Sequence, residues 1–107
     1  MTFRSRKLLD LAHDFHTCQN CGCHVEAGCE PAHSNMSEHG KGISIKSADC
    51  YFAALCHSCH SWLDQGSGLD PSGVWEADIF SKRGMWRKAF DKTLLELWSR
   101  GLLAIRA

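Results

Sequence analysis

The chain has 107 residues, 44% of them hydrophobic, enough to bury one core and too few for two independent ones. Twelve Lys and Arg balance twelve Asp and Glu, which excludes a general electrostatic pull towards nucleic acid, membrane or acidic partners and leaves only local basic faces for such contacts. Seven cysteines and seven histidines in so short a chain pose a choice between a disulfide scaffold and a metal site.

The N-terminal stretch MTFRSRKLLDLAHDF favours the metal. Asp10, His13 and Asp14 interrupt the apolar run before a secretory core could form, and no stretch reaches the ~18 apolar residues of a membrane helix. The expectation is a cytoplasmic protein with reduced thiols. Residues 4–14 place Leu8, Leu9, Leu11 and Ala12 at helical spacing behind Arg4, Arg6 and Lys7, which predicts a short amphipathic helix. Residues 18–34, rich in cysteine and glycine, predict a knuckle followed by a small hairpin. MSEHGKGISIKS reads as a loop, CYFAAL as a buried strand, and the segment after Cys56 as a helix of about three turns ending near Gly66. GLDPSG is a loop because Pro71 bars helix continuation.

From Val74 to Arg100 a long helix is expected, with Ile79, Phe80, Trp86, Phe90, Leu94, Leu97 and Trp98 on one face and Gly84 as its weak point. LLAIR after Gly101 reads as a closing strand. The whole is one α+β domain, with a core over residues 15–66 and a helical extension over 72–107.

Two C-x2-C pairs, Cys18 with Cys21 and Cys56 with Cys59, supply four thiolates for a tetrahedral zinc ion. Two-residue spacing lets both sulfurs of a pair reach one ion, and four thiolates leave no position for substrate, so this zinc is structural. Cys23 or Cys29 could replace Cys21, while Cys29 and Cys50 read as small core residues. On a helix opening near Cys59, His60 and Asp64 lie one turn apart on one face, able to grip a second divalent ion and leave positions for water and phosphate.

C-x2-C, then His33 on a strand in EPAHSN, then a glycine loop, then C-x2-C-H-x3-D resembles the layout of HNH nucleases, which have a treble-clef ββα-metal core. More narrowly, AHSNMSEHGKGISIKSADCYFAALCHSCHSWLDQG is similar to the YbcO-like family of phage and prophage recombination nucleases, over about residues 1–66. The resemblance implies a DNA endonuclease of a bacterial host cell, with His33 as general base and His60 and Asp64 as ligands of a catalytic Mg2+ or Mn2+. Two positions depart from it. Ala32 stands where many HNH motifs place an Asp or His ligand, and the middle asparagine has no clear match, Asp49 being the nearest polar candidate and Asn35 a second.

On this reading His33 takes a proton from water and the ion relieves charge on the phosphate. The expected partner is DNA, branched or single-stranded forms included, held by Arg4, Arg6, Lys7, Lys41 and Lys46, with Lys82, Arg83, Arg87 and Lys88 as a further cluster on the long helix. The four tryptophans read as core or interface anchors, and burial of part of the long helix would make a homodimer. The competing reading is a treble-clef zinc module that binds DNA or a protein partner without catalysis.

Overall fold

The computed structural model describes residues 3–42 and 45–105. In chain order it contains α1 (Arg6–Asp10), β1 (Glu30–His33), β2 (Phe52–Leu55), α2 (His57–Gln65) and α3 (Ile79–Ser99), with 3₁₀ turns at Leu11–Asp14 and Ser37–His39. The class is α+β, three helices around one two-stranded antiparallel sheet.

The hairpin expected within residues 18–34 does not form as written. The knuckle closes on itself, with Thr17 bridged to His24 and the Cys18 N–H donating to Cys23 O at 2.9 Å. The strand carrying His33 pairs instead with β2, in the register Glu30 with Leu55, Pro31 with Ala54, Ala32 with Ala53 and His33 with Phe52. Burial explains the choice: β2 is buried at all four positions, and such a strand needs partners on both faces and both edges. Ala53 and Leu55 face one apolar cluster with Ala32, Met85 and Trp86, while Phe52 and Ala54 face another with Ala12, Phe15, Cys29 and Leu97. At its outer edge Ala54 donates its N–H to Thr93 Oγ1 at 3.1 Å and accepts from the Gln19 N–H at 3.1 Å. One residue thus joins the knuckle, the sheet and α3.

The long helix begins at Ile79, five residues later than expected. Asp70 captures the N–H groups of Val74 and Trp75 at 3.1 and 2.8 Å, which holds that stretch in a turn, and Asp78 caps α3 by accepting from the Ser81 N–H at 2.8 Å. Its buried stripe is Met85, Trp86, Ala89, Thr93 and Leu97, whereas Ile79, Phe80 and Trp98 stand exposed. The helix is longer than the sheet it covers, so its two ends leave apolar side chains in water. Gly84 is a packing site rather than a weakness: a Cβ there would lie 3.0 Å from the Trp75 ring.

Residues 102–105 form no strand, and Arg106 of the expected closing segment lies outside the described residues, as do Ile43 and Ser44 of the glycine loop. Cys50 is exposed and not part of the core. Among the described residues, no helix is long and apolar enough to cross a membrane.

Candidate functional site

The knuckle and the start of α2 bring Cys18, Cys21, Cys56 and Cys59 together, their sulfurs all within 4.8 Å of one another. Zinc–sulfur bonds of about 2.3 Å at tetrahedral angles separate sulfurs by about 3.8 Å, and Cys21 Sγ lies 3.8 Å from Cys56 Sγ. Amides already point at the thiols: Asn20 N at 3.4 Å from Cys18 Sγ, Cys59 N at 3.4 Å from Cys56 Sγ, and Asn20 Nδ2 at 3.2 Å from Cys59 Sγ. The bond to Cys59 holds the Cys18 thiol far below its usual value, at about 4, and the same bond followed by burial pushes Cys59 up. Crowded sulfurs that cannot all ionise unaided are a donor set for a metal ion such as zinc.

Of the two candidate replacements for Cys21, Cys29 is fully buried in the second apolar cluster, where burial pushes its thiol to about 12. Cys23 is exposed. Behind the cluster Asp70 accepts from Asn20 Nδ2 at 2.7 Å. Its carboxyl is held at about 2: burial opposes ionisation, but Asn20, Ser72 and the Trp75 N–H together outweigh it. Sequence reading missed Asp70, whose one signal was the D-P-S-G turn.

The histidines lie around a separate open cleft of about 590 Å3, lined by His33 and Pro31 of β1, His60 and Asp64 of α2, Arg6 of α1 and Lys41 and Lys46 of the loop. Cys59 is fully buried and His60 is the next residue on the helix, so α2 turns its thiol towards the cluster and its imidazole towards the cleft. His60 Nε2 is 3.5 Å from Asp64 Oδ2. Two metal bonds of about 2.1 Å at right angles would separate their donors by about 3 Å, so the pair suits one wall of an open divalent site.

His33 and His60 are each held from behind by a carboxylate. His33 Nε2 is 2.9 Å from Asp49 Oδ1, and the same carboxylate accepts from the Ser5 N–H at 2.7 Å and from Arg4 Nη1 at 3.1 Å. Burial raises the Asp49 pKa, yet these donors outweigh it and the net shift is downward, so Asp49 is ionised and only accepts. In the neutral tautomer of His33 that this contact selects, the proton sits on Nε2 and the lone pair on Nδ1. On the other wall, Glu30 accepts from His60 Nδ1 at 2.8 Å and from His57 Nδ1 at 3.0 Å. Burial opposes ionisation of Glu30 as well, but the two imidazoles bring its pKa below the usual value. The same logic puts the lone pair of the neutral His60 tautomer on Nε2, beside Asp64.

Asp49 thus lies against His33, while Asn35 is exposed at the cleft wall. Glu30 went unnoticed because strand and helix meet only in three dimensions. Arg4, expected to meet DNA, stays exposed while it donates to Ser47 O, Lys46 O and Asp49, pinning the returning loop. Lys7 is exposed on α1 away from the cleft lining. Ala32 is fully buried in the first apolar cluster, and its carbonyl accepts from Trp86 Nε1 at 2.9 Å.

Comparison with protein-family models, with curated proteins and with solved structures finds no match to this chain.

Proposed function

We propose that the chain is a metal-dependent DNA endonuclease of HNH type, with a treble-clef ββα-metal core, acting on phage or prophage DNA in recombination or processing. One observation carries the reading: a carboxylate-held histidine on a strand, His33, shares a cleft with His60 and Asp64 on the following helix, and Arg6, Lys41 and Lys46 line the same cleft. The order β1, β2, α2, with one cysteine pair ahead of β1 and the other at the start of α2, agrees with the ββα layout.

In this mechanism Asp49 orients His33 so that Nδ1 takes the proton from an attacking water, and stabilises the imidazolium that results. Lys41, Lys46 and Arg6 attract and seat the phosphate backbone without reading sequence. His60 and Asp64 would hold Mg2+ or Mn2+, which when bound supplies Lewis-acid stabilisation of charge on the phosphate and leaving oxygens. Glu30 keeps His60 Nε2 free for that role.

The proposed partner besides DNA is a second copy of the chain, since Leu95, Trp98 and Leu102 near the end of α3 are 69%, 47% and 39% exposed. The burial of Ala32 favours the alternative of a non-catalytic zinc module, because it leaves the divalent site with two side-chain ligands. Incubation of the zinc-loaded protein with supercoiled and branched DNA plus Mg2+ or Mn2+, beside His33→Ala and Asp64→Ala, decides between them. Cleavage by the wild type alone supports the nuclease. Equal trace cleavage by all three, with DNA still bound, supports the module.

A further inference from the structure

A second cavity, of about 460 Å3, adjoins the cleft and shares Asn35 and Asp64 with it. Its floor is apolar: Leu63, Met36 and Trp86 line it and are all buried. Its rim carries Ile79, which is 58% exposed, with Lys82 and Arg83 one turn further along α3. Lys82 Nζ donates to Gly66 O at 2.9 Å and lies 5.4 Å from the centre of the Trp62 ring, so it straps the end of α2 to α3 and fixes the walls. Gly66 keeps this passage tight, since a Cβ there would fall 2.5 Å from Trp62 Cα.

An apolar slot whose rim sets Lys82 and Arg83 beside Asp64 and Asp78, and which is contiguous with the cleft, has the room and the apolar floor for a flat heterocycle. Resting on the nuclease reading, we propose that this cavity receives one unpaired base of the DNA strand whose phosphodiester lies in the adjoining cleft. The volume lies in the range of small-ligand sites and accepts a base with part of its sugar. Exposed Asn35 stands on the seam, and its amide offers the donor and acceptor that a base edge requires. Arg83 is exposed at the rim, where it can meet the next phosphate.

The consequence is a substrate class. Bases inside a duplex are paired and stacked, and must be extruded before they can enter a pocket, whereas a base in a flap, gap, bubble or junction is already available. The chain should therefore prefer DNA unpaired beside the scissile phosphate, by roughly 10- to 100-fold if the slot gives what a base-stacking site gives.

The test reads binding without cutting. With Ca2+ in place of Mg2+, fluorescence anisotropy measures the affinity of zinc-loaded protein for a labelled 12-nucleotide single strand, for its duplex, and for strands with an abasic site at each position in turn. Wild type should bind the single strand more tightly than the duplex, and one abasic position should lose about 10-fold or more. Ser67→Trp fills the slot from an exposed position on its lip, and Ile79→Asp puts a negative charge at its mouth while adding a residue favourable to a helix N-terminus. Either variant, with zinc content and helical signal unchanged, should bind all strands alike. Equal affinity of wild type for every abasic strand, or an undiminished base effect in both variants, overturns the proposal. If wild type cuts DNA yet shows no base effect, the pocket fails and the nuclease stands. If it shows the base effect yet never cuts, the nuclease fails and a base-binding groove remains.

Discussion

The cysteine cluster and the histidine cleft share one helix and solve opposite problems. The cluster gathers four like donors within 4.8 Å, three of them buried, with amides turned inward. The cleft spreads unlike donors around open space, and Asp64 is 56% exposed at its rim. Both use a carboxylate set one contact back: Asp70 acts through Asn20 on the cluster, and Asp49 and Glu30 act directly on the imidazoles. A closed site needs little besides its ligands, because their convergence fixes the geometry. An open cleft has no such convergence, and here two strand-borne or loop-borne carboxylates hold its imidazoles instead.

The five expected effects below follow this division, and the largest concerns the cluster. Cys59→Ser should abolish cooperative thermal unfolding and zinc retention together, because structural zinc supplies folding free energy; a variant that melts like the wild type would mean the sulfurs hold no metal. Under the proposed nuclease function, His33→Ala should lower the cleavage rate about 10²- to 10⁴-fold, as measured with saturating DNA on protein that retains its zinc. Glu30→Gln keeps an acceptor for His60 but loses the charge, and should weaken Mn2+ binding by about 10- to 100-fold in calorimetry of the zinc-loaded protein. An unchanged Mn2+ affinity would show that Glu30 serves the strand and not the ion.

Asp70→Asn should destabilise the protein by about 2 kcal/mol at pH 7 in urea unfolding. The sign follows from its lowered pKa. A carboxyl held at about 2 in the fold, against 3.8 as its ordinary value, stabilises fully above that ordinary value and loses the contribution as pH falls towards 2. The smallest effect is at the cleft mouth: Lys46→Ala should reduce the slope of log affinity against log salt by about one, with little change in the rate at saturation.

The four zinc-type ligands were legible because C-x2-C is a local spacing with one common geometric use. His60 and Asp64 were legible for the same reason, being one turn apart on a helix whose cap and end the sequence marks. Asp49 was half legible: the motif order asked for a polar residue ahead of β2, but only the fold shows its carboxylate 2.9 Å from His33. Glu30 was invisible, since nothing in a linear text says that β1 packs its first side chain against α2. The partner of β1 was misread because a glycine-rich, cysteine-rich stretch suggests local pairing, whereas a strand buried on both faces claims the nearest free edge. The start of α3 was misread because periodicity registers a partly buried tryptophan such as Trp75 without registering that Asp70 has already taken its amide.

Ala32 has a bearing on protein engineering. It sits where an added carboxylate would complete the familiar pattern, so Ala32→Asp is the change a motif-guided designer would make first. Its methyl group packs into the apolar cluster beside Trp86, with no exposed surface. A charge introduced there would find oil in place of an ion, at a cost of several kcal/mol. The route to a richer ligand shell in this scaffold runs through the cleft wall at Asn35, where water already reaches the side chain.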